Sequence, residues 1–156
     1  VKREVPSKLL FVGDGPERAT AEQLCRELGV CDDVRFVGKQ EQMEDILAIA
    51  DLFLLTSEYE SFGLAALEAM AASVPVVSTN AGGLPEIMIQ GVNGFMGNVG
   101  DVETLSKHAL DILKDDARLE QFKQAAYDHA QVFDIKNIIP RYEKLYDEVL
   151  SNELVP

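Results

Sequence analysis

Tryptophan is absent from this chain, and cysteine, histidine and basic residues are scarce. The two cysteines, Cys25 and Cys31, form no CxxC pair and no metal-ligand spacing. A disulfide framework and a zinc ribbon are therefore excluded, and two free thiols in a reducing compartment are expected. The two histidines, His108 and His129, fall in helical stretches away from the loop motifs described below, and are expected at surface or hydrogen-bonded positions. Only 14 Lys and Arg stand against 27 Asp and Glu, a net charge of −13. That balance excludes a nucleic-acid or anionic-membrane surface, since both need clustered cations. A small anionic ligand stays open, because backbone amides bind phosphate without side-chain charge. No apolar run reaches the roughly 18 residues of a membrane-spanning helix, and no signal peptide is present, so a cytoplasmic protein without an integral membrane segment is expected. The chain opens at Val1-Lys2-Arg3-Glu4-Val5 without a methionine, as a fragment of a longer protein would.

What is present is enough for one domain: 156 residues, 47% of them hydrophobic. Short apolar runs alternate with amphipathic stretches. Strands are expected at Lys8–Val12, Val34–Val37, Leu52–Thr56, Pro75–Ser78 and Asn93–Met96. Helices are expected at Glu17–Leu28, Gln42–Ala50, Leu64–Ala72 and Leu84–Gln90, then at Asp101–Leu113, Ala117–Phe133 and Ile139–Leu150. Continuous apolar strands separated by helices predict an α/β fold, a Rossmann-like doubly wound parallel sheet with a helical C-terminus. Four strand ends carry loops of functional appearance: Gly13–Pro16, Gly38-Lys39, Glu58–Gly63 and Asn80–Gly83. On one edge of such a sheet these loops converge into a crevice.

The richest of these loops is Glu60-Ser61-Phe62-Gly63-Leu64-Ala65-Ala66-Leu67-Glu68. It places a carboxylate on each side of a loop-to-helix junction. A helix starting near Phe62 would aim free N–H groups and its positive dipole end at a pyrophosphate. Gly63 would let the backbone come close. Glu68 would lie about 8–9 Å along the axis, at ~1.5 Å per residue, in reach of a ribose diol. A carboxylate accepts from two hydroxyls at once, so Glu68 suits a ribose and Glu60 a sugar. A solvated loop and an exposed helix position remain the alternative for the two glutamates. A dinucleotide fold is excluded at Gly13-Asp14-Gly15: Arg18 stands where the fingerprint needs its third glycine. The following strand ends in Gly38-Lys39, without the acid that holds a ribose. Glu17 at the helix start would also repel a pyrophosphate.

Taken together, the motifs match a known pattern. They are Val12-Gly13-Asp14-Gly15-Pro16-Glu17, Val34-Arg35-Phe36-Val37-Gly38, Ser57–Leu64 with Glu68-Ala69-Met70-Ala71, Val74–Val77 and Gly82-Gly83-Leu84-Pro85-Glu86. The pattern resembles the C-terminal, nucleotide-sugar-binding domain of retaining GT-B glycosyltransferases of family 4, over nearly the whole chain. The resemblance implies that Glu68 holds the ribose, that Glu60 sits beside the donor sugar as the catalytic-site carboxylate, and that Phe62, Gly63 and Leu64 offer amides to the sugar and distal phosphate. Gly38 and Lys39 would border the base, and Gly13 and Gly15 would line the crevice floor. No essential metal or other cofactor is implied, and the nucleotide-sugar is a substrate. The N-terminal acceptor domain is expected to be absent, along with an Arg and a Lys that neutralise the pyrophosphate. Chain 1–156 is then a single donor domain, inactive or nearly so alone. Within the family, Gly38-Lys39-Gln40 and Ser57–Gly63 look most like the bacillithiol-pathway members that transfer N-acetylglucosamine from UDP-GlcNAc to L-malate. A sugar-nucleotide epimerase or hydrolase of the same fold, or a non-catalytic nucleotide-binding module, are the competing expectations.

Overall fold

The computed structural model describes residues 1–151. Five strands, β1 (Leu9–Val12), β2 (Val34–Gly38), β3 (Phe53–Leu55), β4 (Val76–Thr79) and β5 (Gly94–Gly97), alternate with helices α1 (Arg18–Glu27), α2 (Met43–Leu47), α3 (Leu64–Ala71) and α4 (Leu84–Ile87). Three more helices follow, α5 (Val102–Leu113), α6 (Asp116–Ala130) and α7 (Ile135–Leu150). Every named strand pairing is parallel, as the apolar runs predict.

The strands form two ladders instead of one continuous sheet: β1 with β2, and β3-β4-β5. In a doubly wound sheet of order 3-2-1-4-5-6, the first strand lies between the second and the fourth. Here β1 and β3 are not paired with each other, and each keeps an unpaired edge. The core sits on the three-stranded side. All four residues of β4 are buried. Met70, Val74, Val76, Leu84 and Ile87 form one buried cluster with Ala126 of α6. Val77, Phe95, Leu105, Ile112 and Phe122 form a second on the opposite face, under α5 and α6. On β1 the pattern reverses, with Leu10, Phe11 and Val12 exposed and the Phe11 ring stacked on Phe36 at 4.8 Å.

Helix ends follow local chemistry. Asp101, Asp115 and Asp134 cap α5, α6 and α7 by accepting from Thr104, Arg118 and Lys136 N–H. The Asp134 cap starts α7 at Ile135, ahead of the expected Ile139, and Pro140 lies inside the helix. At the end of α1, Gly29 at φ +66° closes a Schellman turn: Val30 N–H donates to Cys25 O and Gly29 N–H to Arg26 O.

Candidate nucleotide-sugar site

The β3–α3 loop is held at three points along its length. Thr79 Oγ1, buried at the end of β4, donates to Ser57 O at 2.6 Å. Gly83 N–H donates to Glu60 O at 3.3 Å. Gly63 is wedged against Leu84 and Ile87 of α4, where an added Cβ would come within 2.7 Å of Leu84 Cδ2. The closest approach is at Gly82, whose φ is +54° and where a Cβ would lie 1.5 Å from Glu60 O. A Cβ on Gly83 would meet Ser61 O at 2.5 Å and Phe62 Cα at 2.8 Å. Backbone thus packs on backbone, and only glycine leaves the space. This support role is invisible in sequence, because it joins two loops across the sheet edge. The one available signal is the Gly-Gly pair itself, ending a strand.

Gly63 adopts φ +98° and is the N-cap of α3, so the helix begins at Leu64 and not near Phe62. The left-handed conformation at Gly63 is incompatible with a helical turn there. Glu68 therefore lies about 6 Å from the first helical residue, at ~1.5 Å per residue, a shorter span than the sequence predicts. No side chain caps α3, and the first acceptor inside the turn is Gly63 O, which takes Leu67 N–H at 3.1 Å. The amides before Leu67 have no acceptor within the helix. Phe62 is half-buried and set edge-on to Phe133 at 6.1 Å, so its ring anchors the loop. Leu64 and Glu68 are exposed and Glu60 is half-buried. Glu60 Oε1 accepts Ser61 N–H at 3.1 Å, which fixes one carboxylate oxygen and leaves the other for a partner.

Gly13, Gly15, Gly38 and Lys39 form a second group at the ends of β1 and β2. Gly13 N–H donates to Gly38 O at 2.7 Å, which joins the two loops. Gly15 N–H is taken by Asp14 Oδ1 at 3.0 Å. Both glycine amides are thus engaged within the protein, so these residues line a surface by lacking side chains. Lys39 is exposed, and Arg18 reaches to 4.0 Å from the Cβ that Gly38 lacks. The Arg18 guanidinium lies over the Phe36 ring at 5.8 Å and pairs with Glu22. In sequence Arg18 registers only as a broken glycine fingerprint. In space its guanidinium borders Gly38. The two groups are each assembled, but no strand pairing joins them, since β1 and β3 are unpaired.

An apolar cavity of about 400 Å³ lies between β3 and α5, lined by Leu54, Thr56, Val102, Leu105 and Ala109. It contains none of the expected donor residues. Among the described residues, no group of three or more His, Cys, Asp and Glu is placed to hold a metal ion, and no helix is long and apolar enough to cross a membrane. His108 stacks on Phe95 at 4.5 Å, and His129 meets Phe133 edge-on at 5.5 Å; both are in the helical layer.

Residues 1–129 match the family model of glycosyl transferases group 1. The chain belongs to that family. The glycosyltransferase domain is 42% identical over 151 residues to N-acetyl-alpha-D-glucosaminyl L-malate synthase of Bacillus anthracis, covering 96% of this chain and 40% of that protein. It is 34% identical over 137 residues to a D-inositol 3-phosphate glycosyltransferase of Corynebacterium aurimucosum, covering 86% of this chain and 32% of that protein. Its fold matches Anabaena HepE, solved in complex with UDP, with a TM-score of 0.82 and 28% identity, over 91% of this chain and 41% of that one. The domain thus spans two fifths or less of these two curated relatives. The fold is Rossmann-like and shared with GT-B glycosyltransferases.

Proposed function

We propose that this domain holds the nucleotide-sugar donor of a retaining glycosyltransferase, with a UDP-sugar as donor. The observation that carries it is the β3–α3 junction, where the Glu60 loop is pinned from beneath by Gly82 and Gly83 and opens onto an uncapped helix start. The amides of Phe62, Gly63 and Leu64 would take the distal phosphate and support the leaving diphosphate, as fixed dipoles do where charge develops. Glu60 would bind sugar hydroxyls and favour oxocarbenium-like charge at the reacting carbon. Glu68 would take the ribose hydroxyls, and Gly38 and Lys39 the base. This chemistry asks for no metal. The Bacillus anthracis relative points to N-acetylglucosamine as the sugar and L-malate as the acceptor. The thiols and the nucleotide-sugar substrate fit a cytoplasmic setting.

The longer relatives support an acceptor domain outside this chain, with transfer in the cleft between the two. The rest of the protein would also supply the strand between β1 and β3, making one sheet of the two ladders and bringing the Gly38 and Glu60 groups onto one edge.

Steady-state kinetics of the full-length protein test the assignment. Glu68→Ala should weaken donor affinity about 10–150-fold, the loss of a charge-assisted hydrogen bond worth roughly 1.5–3 kcal/mol. Glu60→Ala should lower kcat instead. Most of kcat surviving in the Glu60 variant would remove that residue from the chemistry.

A further inference from the structure

The two cysteines lie outside the donor site, yet the fold brings them together. Cys25 is in the last turns of α1 and is buried, while Cys31 is exposed. The Schellman turn at Leu28-Gly29-Val30 reverses the chain directly after Cys25, with Val30 N–H donating back to Cys25 O at 3.2 Å. A short 3-10 turn, Cys31–Asp33, follows and leads into β2. Arg35 Nη1 donates to Cys31 O at 3.3 Å, and Asp33 pairs with Lys2 and Lys8, so the turn is held on both sides. The Cys25 sulfur therefore meets the Cys31 sulfur, 2.7 Å away and inside non-bonded contact. Two sulfurs this close need move only a fraction of an ångström to reach the covalent distance of about 2.05 Å.

We propose that Cys25 and Cys31 form a reversible thiol–disulfide pair in which exposed Cys31 meets a hydroperoxide and Cys25 resolves the product. The Cys31 thiolate attacks one peroxide oxygen. The O–O bond breaks, hydroxide (or the alkoxide of an organic peroxide) leaves and takes a proton from solvent, and Cys31 becomes a sulfenic acid. The Cys25 sulfur then attacks the Cys31 sulfur. An S–S bond forms as the S–O bond breaks, and the Cys25 proton departs with the hydroxyl as water. Two thiols are oxidised, and one hydroperoxide is reduced to water and, for an organic peroxide, an alcohol. The order of events follows from access and from protonation. Cys25 is shielded, and its hydrogen bond to Cys31, together with burial, pushes its thiol up to about 11, so it stays protonated while Cys31 is the sulfur that solvent reaches. The pair lies where the chain enters β2, at the opposite end of the strand from Gly38. The disulfide would tie α1 to the start of β2 without displacing a donor-site residue.

Peptide mapping of the full-length protein after limiting hydrogen peroxide and thiol alkylation tests this. Trypsin cuts at Arg26, between the two cysteines, so the disulfide is read as two linked peptides. The expected result is loss of both thiols together, a linked Cys25–Cys31 peptide pair, and recovery of both thiols with dithiothreitol. In Cys25→Ser, Cys31 should run on to sulfinic acid that dithiothreitol does not reverse. In Cys31→Ser, Cys25 should remain alkylatable once the protein is denatured. Cys31 reaching sulfinic acid in the unaltered protein while Cys25 stays free would overturn the proposal. So would two thiols that both survive peroxide, or a Cys31 link between two protein molecules. The unaltered chain decides the matter without either variant.

Discussion

The β1–β2 ladder and the β3-β4-β5 ladder start from the same kind of sequence and end in opposite surroundings. Leu-Leu-Phe-Val of β1 is more apolar than Val-Val-Ser-Thr of β4. Yet β1 exposes three of its four residues, whereas every residue of β4 is buried. The difference lies in the layers. Strand β4 has a paired strand on each side, and buried clusters on both faces that α3 and α4, and α5, help to close. Strand β1 has one paired edge and one open edge. Apolar composition therefore specifies that a strand can be buried, and its neighbours decide whether it is. The more deeply buried half of this domain carries Glu60 and Glu68, and the half that carries Gly38 and Lys39 leaves more of its apolar side chains exposed.

Substitutions can break this contrast in order of size. Met70→Ala, in the fully buried face of α3, should cost about 2–5 kcal/mol in denaturant unfolding of the full-length protein. Gly82→Ala is next. A Cβ 1.5 Å from Glu60 O must move one loop or the other. The expected stability loss is about 1–3 kcal/mol, with a larger fall in transferase turnover than in melting temperature. Unchanged turnover would show that the Glu60 loop does not need its support. Phe11→Ala should cost no more than about 1.5 kcal/mol, the size of a stacked aromatic pair. If it matches Met70→Ala, β1 is buried in the longer protein and the contrast belongs to the isolated domain.

The smallest effect is electrostatic and confined to the β1–β2 half. Hydrogen bonds from Lys2 and Lys8 hold the Asp33 carboxyl below the usual carboxylate range. Because the folded value is the lower one, the stability this adds is present above the unfolded value, near 4. It is lost as pH falls through the folded value. Asp33→Asn should therefore lower stability slightly at neutral pH and leave it unchanged in strong acid. A stability gap that persists in strong acid, below the folded value, would contradict the linkage.

Local signals carried most of the topology. Each expected strand and helix is present, and the Glu60 loop stands where its motif places it. What sequence did not carry is non-local. The split of the sheet depends on which strand edges find partners. The clasp of Gly82 and Gly83 on Glu60 to Phe62 joins residues of two loops. One error of boundary was local and avoidable. Asp134, a strong N-cap residue, starts α7 ahead of Pro140. The meeting of Cys25 with Cys31 was also encoded locally, in the glycine that ends α1. Composition alone cannot say that this turn brings the thiols face to face.

The fit of Gly82 beneath Glu60 bears on how such domains recombine. The β3–α3 loop and the β4–α4 loop share one backbone-to-backbone interface with no side chain to absorb a mismatch. Neither can be exchanged between relatives on its own without its counterpart matching to within a few tenths of an ångström. A chimera that imports a new sugar preference through the Glu60 loop should bring the Gly82-Gly83 loop from the same parent, so that the two are inherited as one cassette.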